Sequence, residues 1–130
     1  MTKEKLEIYK CEICGNLVQV LLTGAGELVC CNQPMTLQNI QHDKSDLGEK
    51  HAPVVEAQDN KKIVQVNSHP MLKEHYIQFI EVFDKNKNEV HLKYFEPETL
   101  PEFDISCLNN DIKAIEFCNI HGLWGENNND

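Results

Sequence analysis

The chain has no arginine, a single tryptophan, and no apolar run near the roughly 18 residues that a membrane span requires. Lysine alone supplies its cationic side chains: 12 against 21 acidic residues, for a formal net charge of −9 over 130 residues. That balance argues against nucleic acid and against an anionic membrane as partners. It also sets a difficulty for any anionic substrate, which would need a locally positive site to draw it in. No apolar stretch follows the first charges of Met1-Thr-Lys-Glu4, so nothing there reads as an export signal. The expectation is a soluble, cytoplasmic protein in a reducing compartment, where clustered thiols hold metal more often than they form bridges. No convincing helical period and no internal repeat is found.

What the chain does have is six cysteines and six histidines. Four of the cysteines come early, as Cys11-Glu-Ile-Cys14 and the adjacent pair Cys30-Cys31. A disulfide framework is the bland alternative, but this spacing points to a four-thiolate metal site. Neighbouring cysteines start about 3.8 Å apart at Cα. Both must bend toward one ion, so the tetrahedron should be strained. Residues 17–22 (LVQVLL) read as a strand, 23–26 as a turn and 27–29 as the returning strand, which puts the cysteines at the two ends of a hairpin. A unit ending near Leu37 is too short to bury much apolar surface, and a metal would supply the missing stability.

Residues 39–47 are polar and read as a linker. Beyond them the pattern is all-β, with strands expected over 54–58, 62–67, 75–83, 89–95 and 112–117, separated by turn-rich stretches such as 58–60 and 84–88. Val90, Leu92 and Tyr94 alternate with Glu89, His91 and Lys93, which predicts a buried face on the first set and a wet face on the second. Five or more short strands at this spacing suggest an antiparallel sandwich. The tail over 125–130 reads as frayed.

His51 follows Glu49-Lys50, ahead of the first strand of this second part. His69 precedes Pro70, His75 opens a strand, and Cys118-Asn-Ile-His121 lies where the last strand gives way to a loop. Taken singly, each is a satisfied side chain; taken together, they gather at strand ends and loops, where a sandwich carries its functional residues. His91 (mid-strand) and His42 (in the linker) have no expected metal role, and Cys107 reads as a small buried hydrophobe. If His51, His69, His75, His121 and Cys118 meet at one ion, they are more ligands than tetrahedral structural zinc takes. Imidazole with thiolate suits iron, and five ligands leave one octahedral position for inner-sphere chemistry. A ferrous ion with one thiolate keeps a net positive charge, and Lys50 can add another, which would favour a small anion.

Together the two motifs resemble the desulfoferrodoxin family, the two-iron type of superoxide reductase, over nearly the whole chain. The resemblance rests on Cys11-x-x-Cys14 with Cys30-Cys31, then Glu49-Lys50-His51, His69-Pro70, His75 and Cys118-x-x-His121 in the family's order. It implies a desulforedoxin- or rubredoxin-like domain over 1–37 and an immunoglobulin-like β-sandwich carrying the catalytic site over 38–130. It implies two irons per chain. One is a distorted centre on Cys11, Cys14, Cys30 and Cys31. The other has His51, His69, His75 and His121 in its equatorial plane and Cys118 axial, where a thiolate pushes electron density onto the opposite ligand. The implied reaction takes superoxide, one electron and two protons to hydrogen peroxide, detoxifying it without releasing dioxygen. Lys50 would steer the anion and help organise proton delivery, and the residue matching Glu49 can close over the ferric ion as a sixth ligand. The blander readings of these two are a solvated amine and an exposed carboxylate. A rubredoxin-like electron donor and a homodimer are further implications. On residues alone, a pure electron carrier and a zinc-stapled binding module remain as rivals.

Overall fold

The computed structural model describes residues 4–42, 51–58, 61–66, 69–106 and 111–126. By internal contacts the chain divides into two compact units, Met1–Asn39 and Ile40–Asp130. All twelve regular elements among the described residues are β-strands, so the all-β class holds.

The first unit has β1 (Ile8–Lys10), β2 (Leu17–Gln19), β3 (Val29–Cys30), β4 (Gln33–Pro34) and β5 (Thr36–Leu37). They form a three-stranded sheet in the order β2-β1-β5 and a separate β3-β4 ribbon. This differs from the expected hairpin between 17–22 and 27–29. The Cys11–Cys14 turn reverses the chain within a few residues, so the strands on either side of it are the natural partners, with Lys10 opposite Leu17. The apolar run is then left half unused: Val20 is buried, while Leu21 and Leu22 are 71% and 82% exposed. Only Ile8, Tyr9, Cys11 and Val20 are buried apolar residues among the described part of this unit.

The second unit has β6 (Val54–Gln58), β7 (Lys61–Gln65), β8 (Ile77–Asp84), β9 (Val90–Tyr94), β10 (Glu102–Asp104), β11 (Ile112–Cys118) and β12 (Gly122–Gly125). Two antiparallel sheets, β10-β7-β6 and β12-β11-β8-β9, enclose one core. Seven strands split three and four are the make-up of an immunoglobulin-like sandwich. Val55, Val64 and Phe103 line one inner face and meet Ile80, Val82, Ala114 and Cys118 from the other. The turn after β8 is held by Asp84, whose carboxylate accepts the backbone N–H groups of Asn86, Asn88 and Glu89.

One expectation needs correcting. In β9 the set expected to be buried is not: Val90, Leu92 and Tyr94 are 39%, 40% and 75% exposed, while Glu89 and Lys93 are exposed as expected and His91 is half-buried. His91 and Lys93 pair with Val82 and Ile80 of the core cluster, whereas Val90, Leu92 and Tyr94 pair with Phe83, Glu81 and Phe79 on the other face. β9 is the edge of its sheet, and its side-chain type is a poor guide there. Of the tail expected to fray, residues 125 and 126 are described and ordered, and residues 127–130 lie outside the described part. Gly125 closes β12, and the Glu126 carboxylate accepts the Ala114 N–H at 2.7 Å. Of the expected linker, Gln41 bridges to Trp124, while residues 43–47 lie outside the described part.

Candidate metal centres

Each early cysteine pair sits on a turn whose backbone suits it. In the first turn Gly15 takes φ +85° and donates its N–H to the Cys11 carbonyl, while the Cys14 N–H points at Cys11 Sγ, 3.5 Å away. The second pair stands at the tip of the β3-β4 ribbon. There Cys31 and Asn32 adopt φ of 54° and 62°, the two consecutive left-handed residues of a two-residue hairpin turn. Asn tolerates that region and Cys rarely adopts it. The strain expected of adjacent ligands is thus carried in the backbone at Cys31. All four sulfurs lie within 4.8 Å of one another, with Cys14 to Cys30 at 3.6 Å and Cys30 to Cys31 at 4.0 Å. Sulfurs at the corners of a tetrahedron with metal–sulfur bonds of about 2.3 Å stand about 3.8 Å apart. The described cysteines are all free thiols, which sets the disulfide reading aside. Backbone N–H groups of Cys14 and Ile13 lower the Cys11 thiol to about 6, while the crowding sulfurs of Cys11, Cys14 and Cys30 push Cys31 up to about 12. Four sulfurs this close cannot all ionise without a cation among them.

The second cluster gathers at one end of the sandwich. His51 immediately precedes Ala52-Pro53 and β6, His69 lies between β7 and β8, and His75 closes a tight turn with Leu72 just before β8. Cys118 ends β11, where the register with β8 slips between Phe117 and Cys118. Such a bulge re-aims a side chain at a sheet's end. His51 Nε2 stands 3.1 Å from His69 Nε2 and 3.1 Å from His121 Nδ1. Two nitrogens bound at right angles to one ion, each at about 2.1 Å, would be about 3 Å apart. Ligand atoms of His51, His69, His75 and Cys118 all lie within 4.8 Å of one another. The His121 ring faces the same group, 5.0 Å from His75 between centroids and with Nδ1 4.0 Å from Cys118 Sγ.

Protonation fits the same use. His69 Nδ1 donates to the Pro70 carbonyl at 2.6 Å, leaving Nε2 as a lone pair aimed inward. Burial lowers the pKa of His69 to about 4 and lowers that of His75 as well. His75 Nε2 is buried with no hydrogen-bond partner, the kind of orphaned donor atom a metal would satisfy. Burial raises the Cys118 thiol, against which the N–H groups of His121 and Ile120 pull down. A thiol that does not ionise unaided is one a cation can convert to thiolate. Thus the residues present fit a metal at both places.

Glu49 and Lys50 lie outside the described residues, as does Cys107. His42 and His91 belong to neither metal-competent group; His42 Nδ1 instead lies 2.8 Å from the Glu126 carbonyl. Sequence reasoning missed Glu116, two residues before Cys118 and on the same inner face. It is fully buried, neither carboxylate oxygen has a hydrogen-bond partner, and burial pushes it up to about 10. It missed Asn119 too, whose side-chain amide binds the Glu74 carbonyl and the Tyr76 N–H on either side of His75. The alternation of Ala114, Glu116 and Cys118 could have signalled Glu116.

Known proteins share this layout. The family model for the desulfoferrodoxin N-terminal domain matches residues 3–38, and that for desulfoferrodoxin itself matches residues 43–127. A desulfoferrodoxin of Syntrophotalea carbinolica is 46% identical over 123 residues, covering 93% of this chain and 95% of that one. A desulfoferrodoxin homologue of Archaeoglobus fulgidus is 44% identical over 124 residues, covering 93% and 96%. The crystal structure of the superoxide reductase from Treponema pallidum matches with a TM-score of 0.67 at 26% identity, covering 93% of this chain and 96% of that chain. Matched in both regions and at this identity over most of its length, the chain belongs to the desulfoferrodoxin family.

Proposed function

We infer that this chain is a superoxide reductase: it takes superoxide, one electron and two protons to hydrogen peroxide and releases no dioxygen. Its cofactors are two irons, one for the four-cysteine site and one for the site of four histidines and a cysteine. When bound at the second site, iron supplies the one-electron couple. The chain's own residues do the rest. His51, His69, His75, His121 and Cys118 are the ligands in this reading, and burial keeps His69 and His75 neutral so that their lone pairs are available at physiological pH. These five protein donors would hold the iron and could leave it able to take a small anion as well. The buried walls around His51 and Cys118 hold back water. In this reading Lys50 steers superoxide through the acidic field of the chain and organises proton delivery, and Glu49 would be a further carboxylate ligand for the ferric iron.

The observation that carries this reading is the convergence of His51 Nε2, His69 Nε2 and His121 Nδ1 at 3.1 Å spacing beside a buried thiol. The test is stoichiometry under pulse radiolysis. A reductase yields one peroxide per superoxide consumed; half that yield, with dioxygen, would make the protein a dismutase. An electron carrier would instead leave the spectrum of the second site unchanged on adding azide.

Residues 1–37 serve as the first iron domain and 38–130 as the catalytic domain in this reading. A rubredoxin-like protein is the proposed donor, and a homodimer the proposed assembly. Exposed Leu21, Leu22 and Val29 support the latter by offering apolar surface. Light scattering in solution tests it. Five free cysteines among the described residues favour a reducing, cytoplasmic location. No described helix is long and apolar enough to cross a membrane.

A further inference from the structure

The only tryptophan of the chain lies behind the second cluster rather than in it. Trp124 sits on β12, opposite Glu116 of β11, and is 2% exposed. Its ring stacks on His51 with centroids 4.7 Å apart and planes 22° from parallel. Its indole N–H donates to the backbone carbonyl of His121 at 3.1 Å. One rigid side chain thus touches two imidazole-bearing residues that are 70 positions apart in sequence, whose own rings stand at 85° to each other.

The same carbonyl has a second donor. Gln41 Nε2 reaches the His121 oxygen at 2.8 Å and the Leu123 oxygen at 3.2 Å. The backbone of Gln41 is itself fixed to β12, through its N–H to the Leu123 carbonyl and its carbonyl to the Gly125 N–H, both at 3.0 Å. Between the two lies Gly122, with φ +84°; a Cβ there would stand 3.3 Å from Gln41 Nε2. The chain leaves His121 through a left-handed glycine that lets the Gln41 amide close on the turn.

We propose that Trp124 is a positioning residue for the second metal site, with Gln41 as its helper: together they fix the Cys118–His121 turn and hold the His51 ring square to the His121 ring. The stacked face restrains rotation of His51. The two hydrogen bonds to the His121 carbonyl restrain the turn that presents both Nδ1 and the thiol. Neither Trp124 nor Gln41 is among the metal-competent group of His51, His69, His75 and Cys118. Their effect is on ligand angle, and therefore on the strength of metal binding and on the sulfur-to-iron absorption of Cys118. Groups of this kind, one layer behind the ligands, commonly change metal affinity about 10- to 100-fold when altered.

The inference rests on the cluster being a metal site, and the test separates the two. Trp124→Phe keeps an aromatic face on His51 but loses the N–H, and Gln41→Leu removes the other donor. Each variant and the double variant are purified with iron, and three quantities are read. These are the iron-to-protein ratio, the position of the second site's thiolate-to-iron band, and the rate of iron loss to a chelator. The expected result is two irons in each variant, a shifted band, and second-site iron lost about tenfold faster in the double variant. The absorption of the four-cysteine centre serves as the internal control and stays in place. A band and a release rate equal to those of the parent in both single variants would overturn the proposal. If Trp124→Phe does not fold, Gln41→Leu alone decides, because it alters an exposed side chain. Should the parent protein itself bind no iron at the His/Cys cluster, the metal-site reading fails first, and this proposal with it.

Discussion

The two units hold their cysteines and histidines on opposite terms. In the first, Ile8, Tyr9, Cys11 and Val20 are the only buried apolar side chains among the described residues, and two of the four sulfurs, Cys14 and Cys31, are exposed. So little apolar burial cannot offset the entropy of ordering nearly 40 residues. The metal there makes the fold. In the second, a sandwich with one continuous core carries ligands at its end, and His51 and Cys118 are 1% and 0% exposed. There the fold makes the site. The difference teaches that similar-looking clusters of ligands can sit at opposite ends of the energetic chain, one as a cause of structure and the other as its product.

The sharpest way to break that contrast is to strip the metal. With a strong chelator, the amides of β1 and β2 should lose nearly all hydrogen-exchange protection, while those of β8 and β11 keep theirs. Equal loss in both units would dissolve the distinction. Next in size is Cys118→Ser. It should abolish reductase activity and the thiolate-to-iron absorption while the sandwich still melts cooperatively, and a variant that kept both signals would remove Cys118 from the ligand set. Lys50→Ala should slow the reaction with superoxide about tenfold, a steering-sized effect that shrinks as salt is added, with the iron content unchanged. Unchanged pulse-radiolysis rates at low ionic strength would count against its steering role.

A last prediction concerns the cost of the fold-made site. Burial lifts Glu116 from its ordinary range near 4.5 to about 10 in the folded chain. A group whose pKa is raised on folding gives its full contribution below the unfolded value, and that contribution is lost as pH rises toward the folded one. The stability of the second unit should therefore decline as pH rises from about 4.5 toward about 10. Glu116→Gln, which has no such proton to hold, should decline less. Melting curves of the two proteins that run parallel over this range would show that Glu116 is not held protonated.

Much of this was legible from residue order, and the limits follow from physics. Cys11-x-x-Cys14 and Cys30-Cys31 signal a site because thiolate pairs at such spacing have few other uses. The strands of the second unit show through as apolar runs bounded by turn residues, with β6 found at its observed bounds. Partners and faces were harder. The run over 17–22 looked self-sufficient as half of a hairpin, yet the metal turn at Cys11–Cys14 decided its pairing. In β9 a two-residue period fixes which side chains share a face but not which face looks inward; pairing with β8 settles that. β12 is four residues bounded by two glycines, and nothing in Gly122-Leu-Trp-Gly125 announces a strand. Trp124 was therefore invisible as a neighbour of His51, since the contact exists only once β12 is laid beside β11.

The most direct test of the central claim is a crystal of the iron-replete protein measured on both sides of the iron absorption edge. Two anomalous peaks per chain are expected, one among the four early sulfurs and one within bonding reach of the inward nitrogens of His51, His69, His75 and His121 and of Cys118 Sγ. No iron peak at the second position, or one that responds only at the zinc edge, would contradict the account.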